Sequence, residues 1–324
     1  MTPGVPAWLW IVCVVGAAAV QTVRNAMQRS LTESVGTVGA THVRFLFGLP
    51  FGLLFLAGTA LFVDLSAMSL SRSFAAWALA GASCQILGTA LMLAAMRERS
   101  FVVTIAYIKT EPVQIALFGL VFLGEALSLP ALAAVVAATC GVLLMSMPAG
   151  AAKVAAASEA PGSVHASGRM KTGGVRWPQR AALTGIASGA MFALSAVGFR
   201  GAILELGDGP FYARATMTLA IGLAMQTAML TLWLAWRDRG ALVAIFRLWR
   251  PSLLAGAAGA LASQLWFLAF SLQTAAAVRT LGLVEILFAQ AVSHRLFAQG
   301  TTRREGVGMA LMVAGVLALL LSAR

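Results

Sequence analysis

Ten apolar runs, each about 20 residues long, recur along this chain of 324 residues. A helix needs about 20 mostly apolar residues to cross the ~30 Å hydrocarbon core of a bilayer. Charged residues make up only 10% of the chain, whereas soluble domains carry about 25%. These features predict an all-α integral membrane protein with ten transmembrane helices. The predicted spans are residues 8–28, 38–62, 74–96, 101–122, 127–147, 181–203, 211–236, 251–271, 276–297 and 305–322.

The last five runs repeat the first five. The matched pairs are Glu111 with Glu285 and Gly141 with Gly315 at a shift of 174 residues, and Arg44 with Arg214 and Gly52 with Gly222 at a shift of 170. The same residue types recur in the same order, which favours internal duplication over chance. We predict a first five-helix repeat over 1–147, a linker over 148–180 and a second five-helix repeat over 181–324. The repeat requires the first run, so we expect a span there rather than a cleaved signal peptide.

Five spans per repeat is an odd number, so the two repeats must cross the membrane in opposite directions. Nearly all loop lysines and arginines follow the odd-numbered spans, and the other side holds only Arg72 and Arg324, with Arg200 near a span end. The positive-inside rule then predicts an inner (plasma) membrane protein with cytoplasmic basic loops and external termini. Segment 148–180 is rich in alanine, glycine and serine, which predicts a flexible cytoplasmic linker. Inverted repeats of this kind place a substrate near mid-membrane, between the halves.

Two glutamates lie deep inside predicted spans. Glu111 and Glu285 sit ten and nine residues into spans 4 and 9, or ~14–15 Å deep at about 1.5 Å per residue. Tyr107, Glu111 and Gln114, together with Thr104, follow helical spacing along one face of span 4. Pro112 cannot bond back to a preceding carbonyl, so we expect a kink beside Glu111. Intramembrane charges are candidate functional groups, and a buried carboxylate could carry a coupling proton because burial favours its neutral form.

Further polar side chains fall within the spans. The other candidates for binding substrate or proton are Lys109, Arg44, Arg214, Gln85, Gln264, Arg279 and Asn25. Each has a structural alternative that stays open. Each glutamate could pair with a neighbouring helix through Lys109 or Arg279, the glutamines could bond helix to helix, and span-end arginines could snorkel to the interface. Arg24, in a stripe with Asn25, is equally compatible with pore lining and snorkelling.

Two other patterns narrow the possible functions. Arginines interleave with large apolar residues over 237–250, which predicts a short helix at the membrane surface. No zinc-protease, serine-hydrolase or nucleotide-binding motif is present in the chain, so we predict a protein that is not an enzyme and uses no metal or cofactor. Transport must then use a gradient or exchange.

Residues 112–144 resemble the closing helices of the EamA-type repeat of the drug/metabolite transporter superfamily. The resemblance rests on Pro112, the pair Gly124-Glu125 and the pair Gly141-Val142, each in the family's order. In the second half Gly315-Val316 matches, whereas Ile286 replaces the proline and Gln299 the glutamate. The resemblance implies a ten-helix carrier with its cavity between the halves, usually exporting or exchanging metabolites.

We therefore predict a secondary-active transporter of a small metabolite, working by alternating access as an exporter or exchanger. Intramembrane basic residues outnumber acids, which favours a substrate with a carboxylate or phosphate, such as an amino acid. The alternatives are an exporter of hydrophobic cations on the same fold, a membrane-embedded enzyme and an assembly subunit. Expected partners are the lipid bilayer and the substrate, with the proton as the candidate coupling ion. We expect no nucleic acid partner, and a monomer or homodimer.

Overall fold

The computed structural model describes residues 5–98, 107–146, 179–288 and 303–322. Within these ranges the chain is helical and contains no strand. The helices are α1 (Leu9–Leu46), α2 (Leu49–Ala60), α3 (Arg72–Glu98), α4 (Glu111–Leu123), α5 (Leu129–Ser146), α6 (Gln179–Glu205), α7 (Phe211–Arg237), α8 (Arg239–Arg247), α9 (Trp249–Leu272), α10 (Ala275–Leu281) and α11 (Arg303–Ser322). Thr104 and nearly all of the predicted linker lie outside the described residues.

Several of these helices are long and apolar enough to cross a membrane. Among the described residues they are Ser30–Ala60, Arg72–Ala95, Leu183–Glu205, Phe211–Arg237, Trp249–Leu272 and Arg303–Ser322. Shorter apolar helices cover Leu9–Asn25, Glu111–Leu123 and Leu129–Met145. The prediction of an all-helical, multi-pass membrane protein is therefore confirmed.

The first two predicted spans are joined differently from the expectation. α1 continues as helix through the predicted loop and reverses at Gly36, whose φ is 71° and ψ 176°. Glycine adopts such a positive φ without a steric penalty. The side-chain amide of Gln28 donates to the carbonyl of Ala40 at 2.9 Å, although 12 residues of straight helix would span about 18 Å. The two arms of α1 therefore lie side by side.

The most extensive helix pairs join the first half of the chain to the second. α3 packs on α6, α1 on α9, and α5 on α11. A Cβ on Gly141 would lie 2.5 Å from the backbone nitrogen of Met312, and one on Gly315 would lie 2.5 Å from that of Ala138. Only glycine allows this backbone approach between α5 and α11, as is common where membrane helices cross closely.

Both intramembrane glutamates directly follow a helix interruption. Tyr107 and Ile108 are helical, Lys109 and Thr110 form a turn, and α4 begins at Glu111. Pro112 then fits the first turn of α4, where its missing N–H costs no hydrogen bond. In the second half a 3₁₀ turn, Gly282–Val284, separates α10 from Glu285. These breaks bring charged side chains and irregular backbone to the centre of the helix assembly.

Candidate functional site

A cavity lies between residues of the two halves, and its empty space, including the part that is open to solvent, is about 660 Å³. Its polar wall consists of Gln21, Arg24, Asn25, Arg44, Gln85, Lys109, Glu111, Ser195, Ser263, Arg279 and Glu285. Its apolar wall consists of Met92, Ile108, Phe192, Ala196, Phe199, Trp266 and Phe270. Five predicted site residues besides the two glutamates therefore line this cavity: Asn25, Arg44, Gln85, Lys109 and Arg279. Arg24, for which the sequence left pore lining and snorkelling open, lines it as well.

Glu285 is held by three side chains from the first half. The ammonium of Lys109 donates to its Oε2 at 2.7 Å, and the amide of Gln21 donates to the same oxygen at 3.0 Å. The amide of Asn25 donates to Oε1 at 3.2 Å. Glu285 is 7% exposed and Lys109 8%. A buried charge is tolerated when it is paired and hydrogen-bonded in this way.

Glu111 is held by a base from the second half. Its Oε1 accepts from Nε of Arg279 at 2.8 Å and from Nη2 at 2.5 Å. The Arg279 guanidinium also lies over the Trp266 ring, 4.5 Å from its centroid, a cation–π contact. The Trp266 indole donates to the side-chain carbonyl of Gln21 at 3.0 Å. One network therefore connects both ion pairs, and each pair joins one half of the chain to the other.

Arg24 and Arg44 line the same cavity and form no ion pair with a described carboxylate, although the charge of Glu285 acts on Arg24 from beyond ion-pair distance. They are 4% and 5% exposed. Arg24 donates to the Asn25 side-chain oxygen at 2.6 Å, whereas Arg44 makes long contacts of 3.4 Å to the Thr89 hydroxyl and 3.5 Å to the Ser263 hydroxyl. Nε and Nη1 of Arg24 and Nε of Arg44 are buried without an acceptor. Snorkelling therefore does not describe Arg24 here, because its guanidinium faces the cavity.

The lining is electropositive. Its four bases, Arg24, Arg44, Lys109 and Arg279, face only two acids, Glu111 and Glu285, which leaves a formal charge of two positive units. Among the described residues, no group of three or more histidine, cysteine, aspartate or glutamate side chains could hold a metal ion. The arrangement is suited to binding an anion.

Two predicted residues of span 4 lie outside the cavity wall. Tyr107 packs against α6, where a Cβ on Gly185 would lie 2.7 Å from the Tyr107 Cβ. The Gln114 amide donates to the Thr110 hydroxyl at 3.0 Å. The predicted stripe assumed one continuous helix, and the interruption at Lys109–Thr110 changes the direction in which residues on either side of it point.

The remaining predicted polar residues divide between the cavity and helix contacts. Gln85 lines the cavity and accepts from the Gln226 amide at 2.8 Å. Gln264 instead donates to the Thr216 hydroxyl at 2.8 Å, which links α9 to α7. Arg214 is not part of the described wall, so the sequence equivalents Arg44 and Arg214 occupy different surroundings.

Sequence reasoning missed the contribution of α9. Ser263, Trp266 and Phe270 lie in the cavity wall that also contains Arg24, Arg44 and Arg279. They follow a spacing of three and four residues, which puts them on one face of a helix. One hydroxyl and two aromatic rings at this spacing, in a helix made mostly of small residues, are the signal that could have identified them.

Residues 8–147 match the model of the EamA-like transporter family. The resemblance found in the sequence is therefore confirmed, and these residues carry an EamA-type membrane transporter region. One solved structure, described as "Crystal structure of protein", has a TM-score of 0.65 and 16% identity, and the match covers 97% of this chain and 98% of that one. At this identity the likeness shows the fold alone. No curated protein matches the chain.

Proposed function

We propose that this chain, whose residues 8–147 belong to the EamA-like transporter family, is a secondary-active transporter of a small anionic metabolite. The observation that carries the proposal is the pair Arg24 and Arg44, which are buried in the cavity with unsatisfied N–H groups and form no ion pair with a described carboxylate. A buried, unpaired charge is unfavourable. A carboxylate or phosphate offers the planar or clustered oxygens that a guanidinium binds best.

The same charges argue against the rival that exports hydrophobic cations. Glu111 and Glu285 are the described carboxylates in the wall, and Arg279 and Lys109 already pair with them. A cationic substrate would have to displace a base at each carboxylate and would still meet two unpaired arginines. An anionic substrate adds the missing counter-charge.

Ten transmembrane helices in two inverted five-helix repeats form the architecture of this proposal. The packing supports it, because exchanging the halves turns the pair of spans 3 and 6 (α3 on α6) into the pair of spans 8 and 1, and α9 packs on α1, the helix that contains span 1 and the start of span 2. The pair of spans 5 and 10 (α5 on α11) maps onto itself. The helix interruptions before Glu111 and Glu285 fall at equivalent positions, a feature of transporters built from inverted repeats.

Alternating access then involves the two crossed ion pairs. Each pair joins the halves near the cavity, so a change in the relative position of the halves must weaken or replace them. A bound anion would interact with Arg279 and Lys109 as well as with the free arginines, which lowers the cost of releasing the glutamates. Protonation of a released glutamate would couple the movement to a proton gradient, and without a proton the same cycle would give exchange.

Transport by purified protein in sealed proteoliposomes tests the proposal. A stabilisation screen against carboxylates and phosphates first selects ligands, since a ligand that binds the folded state raises the melting temperature. The selected anion should then exchange across the membrane. Arg24→Gln and Arg44→Gln should abolish both the stabilisation and the exchange, whereas Arg72→Gln, which alters an exposed arginine, should preserve them.

Three results would contradict the proposal. Exchange of hydrophobic cations without any anion exchange would favour the rival exporter. Chemical turnover in detergent, where no closed compartment exists, would indicate an enzyme. Full anion exchange by both Arg24→Gln and Arg44→Gln would show that the arginines do not bind the substrate.

The proposed orientation in the inner membrane, with external termini, rests on the loop charges. A reporter active only outside the membrane, fused after Arg324, should be active. A second reporter, active only in the cytoplasm and inserted within 155–168, should also be active. Silence of both would overturn the orientation and leave the proposed substrate class untouched.

A further inference from the structure

The α8 surface, which we define as α8 with its flanking residues from Trp236 to Arg250, has one face that is anchored to the protein. Asp238 caps the helix by accepting from the backbone nitrogen of Ala241 at 3.0 Å. Ile245 is fully buried and packs into a cluster with Val35 and Val43 of α1. The helix is therefore fixed beside the reversal of α1 rather than loosely attached.

The other face of the α8 surface is apolar and uncovered. Trp236 is 83% exposed, Phe246 58%, Val243 53% and Trp249 51%. At about 100° per residue Val243 lies nearly opposite Ile245, and Phe246 points to the side, about a quarter turn from it. Large apolar side chains so close together are costly in water and indicate a surface that another molecule covers.

The same face carries unneutralised positive charge. Arg237, Arg239, Arg247 and Arg250 are all exposed, and none forms an ion pair with a described residue. Asp238 is the only acid between residues 209 and 284, and its side chain is engaged as the helix cap. The Arg250 guanidinium lies over the Trp249 ring, 5.4 Å from its centroid, so basic and aromatic groups are directly adjacent.

We propose that the α8 surface is a binding site for anionic phospholipid. Clusters of arginine on an amphipathic helix attract negatively charged headgroups, while exposed aromatic and aliphatic side chains insert at the boundary of headgroup and acyl chain. A soluble phosphate would satisfy the arginines and leave Phe246 and Trp249 in water. A lipid satisfies both, because its phosphate meets the arginines and its chains cover the apolar side chains.

Binding and thermal stability in defined lipids test this site. Wild-type protein in nanodiscs of phosphatidylglycerol should unfold at a higher temperature than in phosphatidylcholine, and mass spectrometry of protein released from mixed nanodiscs should show retained phosphatidylglycerol. Removing two charges in Arg247→Gln/Arg250→Gln should reduce that retention about tenfold or more. It should also remove the difference in unfolding temperature between the two lipids.

The control separates a local site from general charge attraction. Arg72→Gln/Arg303→Gln removes the same charge from exposed positions elsewhere and should behave as wild type. If both double variants lose the same amount of retained phosphatidylglycerol, the net charge of the protein explains the retention, and the proposal is overturned. Inorganic phosphate could also overturn it, if it stabilises wild type in phosphatidylcholine as strongly as phosphatidylglycerol does and loses that effect in Arg247→Gln/Arg250→Gln, because this would place a free-anion site at the α8 surface. Stabilisation by phosphate that this variant retains belongs to the cavity. Unchanged unfolding of Arg247→Gln/Arg250→Gln in phosphatidylcholine verifies that this variant is folded.

Discussion

Arg279 donates two hydrogen bonds to one oxygen of Glu111, although 168 residues separate the two side chains in the sequence. The reverse arrangement occurs 176 residues apart, where Lys109 of the first half donates to Glu285 of the second. In these two pairs at the cavity, each half therefore supplies one acid and one base to the other. Buried ion pairs add little stability compared with apolar packing, but breaking one leaves an unpaired charge that is costly. The two crossed pairs therefore join the halves by contacts that are costly to break unless another charge replaces the lost partner.

Glu111→Gln should destabilise the protein, because it leaves the Arg279 guanidinium buried without a counter-charge. Removing one partner of a buried pair costs about 3–5 kcal/mol. Replacing Arg279 as well, in Glu111→Gln/Arg279→Gln, should recover part of that loss, and a double-mutant cycle of unfolding measurements gives the coupling. Glu33→Gln, at an exposed helix position, should stay within about 0.5 kcal/mol of wild type. Additive effects of the two substitutions would show that the pair does not couple.

Glu111→Gln also distinguishes proton coupling from structural pairing. The amide keeps the size of the carboxyl group and cannot be deprotonated. If Glu111 carries the coupling proton, the inserted variant should lose gradient-driven uptake and keep exchange of substrate. Both fluxes are measured in the same proteoliposomes, with and without a pH gradient. Proton-driven uptake at the wild-type rate in a folded variant would exclude this role for Glu111.

Arg24→Met should have opposite effects on stability and function. Arg24 is 4% exposed and two of its nitrogens have no acceptor, so an apolar side chain of similar length should raise the free energy of unfolding by about 1 kcal/mol or more. The same variant should lose the stabilisation that an anionic ligand gives to wild type. Such a trade-off is typical of a binding site held ready for its ligand. A loss of stability in the ligand-free variant would mean that the hydrogen bond from Arg24 to Asn25 outweighs the cost of burying the arginine.

The sequence was sufficient for the helical, multi-pass class and for both intramembrane glutamates, because apolar run length and the cost of buried charge depend on composition alone. It also named Lys109 and Arg279 as possible partners without assigning either to a glutamate. That assignment depends on how α10 and the α4 turn face each other, which no local pattern contains. The position of Arg24 along its helix is compatible both with a side chain buried in the cavity and with one that snorkels to the interface. Only the tertiary packing decides between these two orientations.

The errors in α1 and span 4 have a common cause. Hydropathy follows the apolar length of a run, and it does not detect where a helix continues or breaks. Residues 29–35 are mostly polar but still helical, so α1 extends beyond the predicted span as far as Gly36. In span 4 the apolar run continues across Lys109 and Thr110 while the helix does not, and the stripe through Tyr107 and Gln114 was drawn across that break.

Gly141→Ala should disrupt the α5–α11 crossing. The added methyl would lie 2.5 Å from the Met312 nitrogen and 2.6 Å from the Gly308 carbonyl oxygen, so the backbones must separate at a cost of about 1–3 kcal/mol. Gly58→Ala is the matched control, since a Cβ there meets nothing within 4 Å and alanine favours helix by about 0.5–1 kcal/mol. Thermal unfolding of both variants should therefore shift in opposite directions. Equal shifts would mean that α5 and α11 do not approach as closely as the structure shows.

The two halves should assemble without a covalent connection. α3 packs extensively on α6 and α1 on α9, and the composition of 148–180 predicts no apolar face to bury. Co-expressed fragments 1–150 and 175–324 should therefore co-purify and restore transport. Gly198→Leu in the second fragment is the discriminating control, because a Cβ there would already lie 2.8 Å from the Gly81 Cα on α3, and it should prevent co-purification. If wild-type fragments insert stably but remain separate, the connection and not the helix packing holds the halves together. If they co-purify without transporting, segment 148–180 takes part in the transport cycle itself.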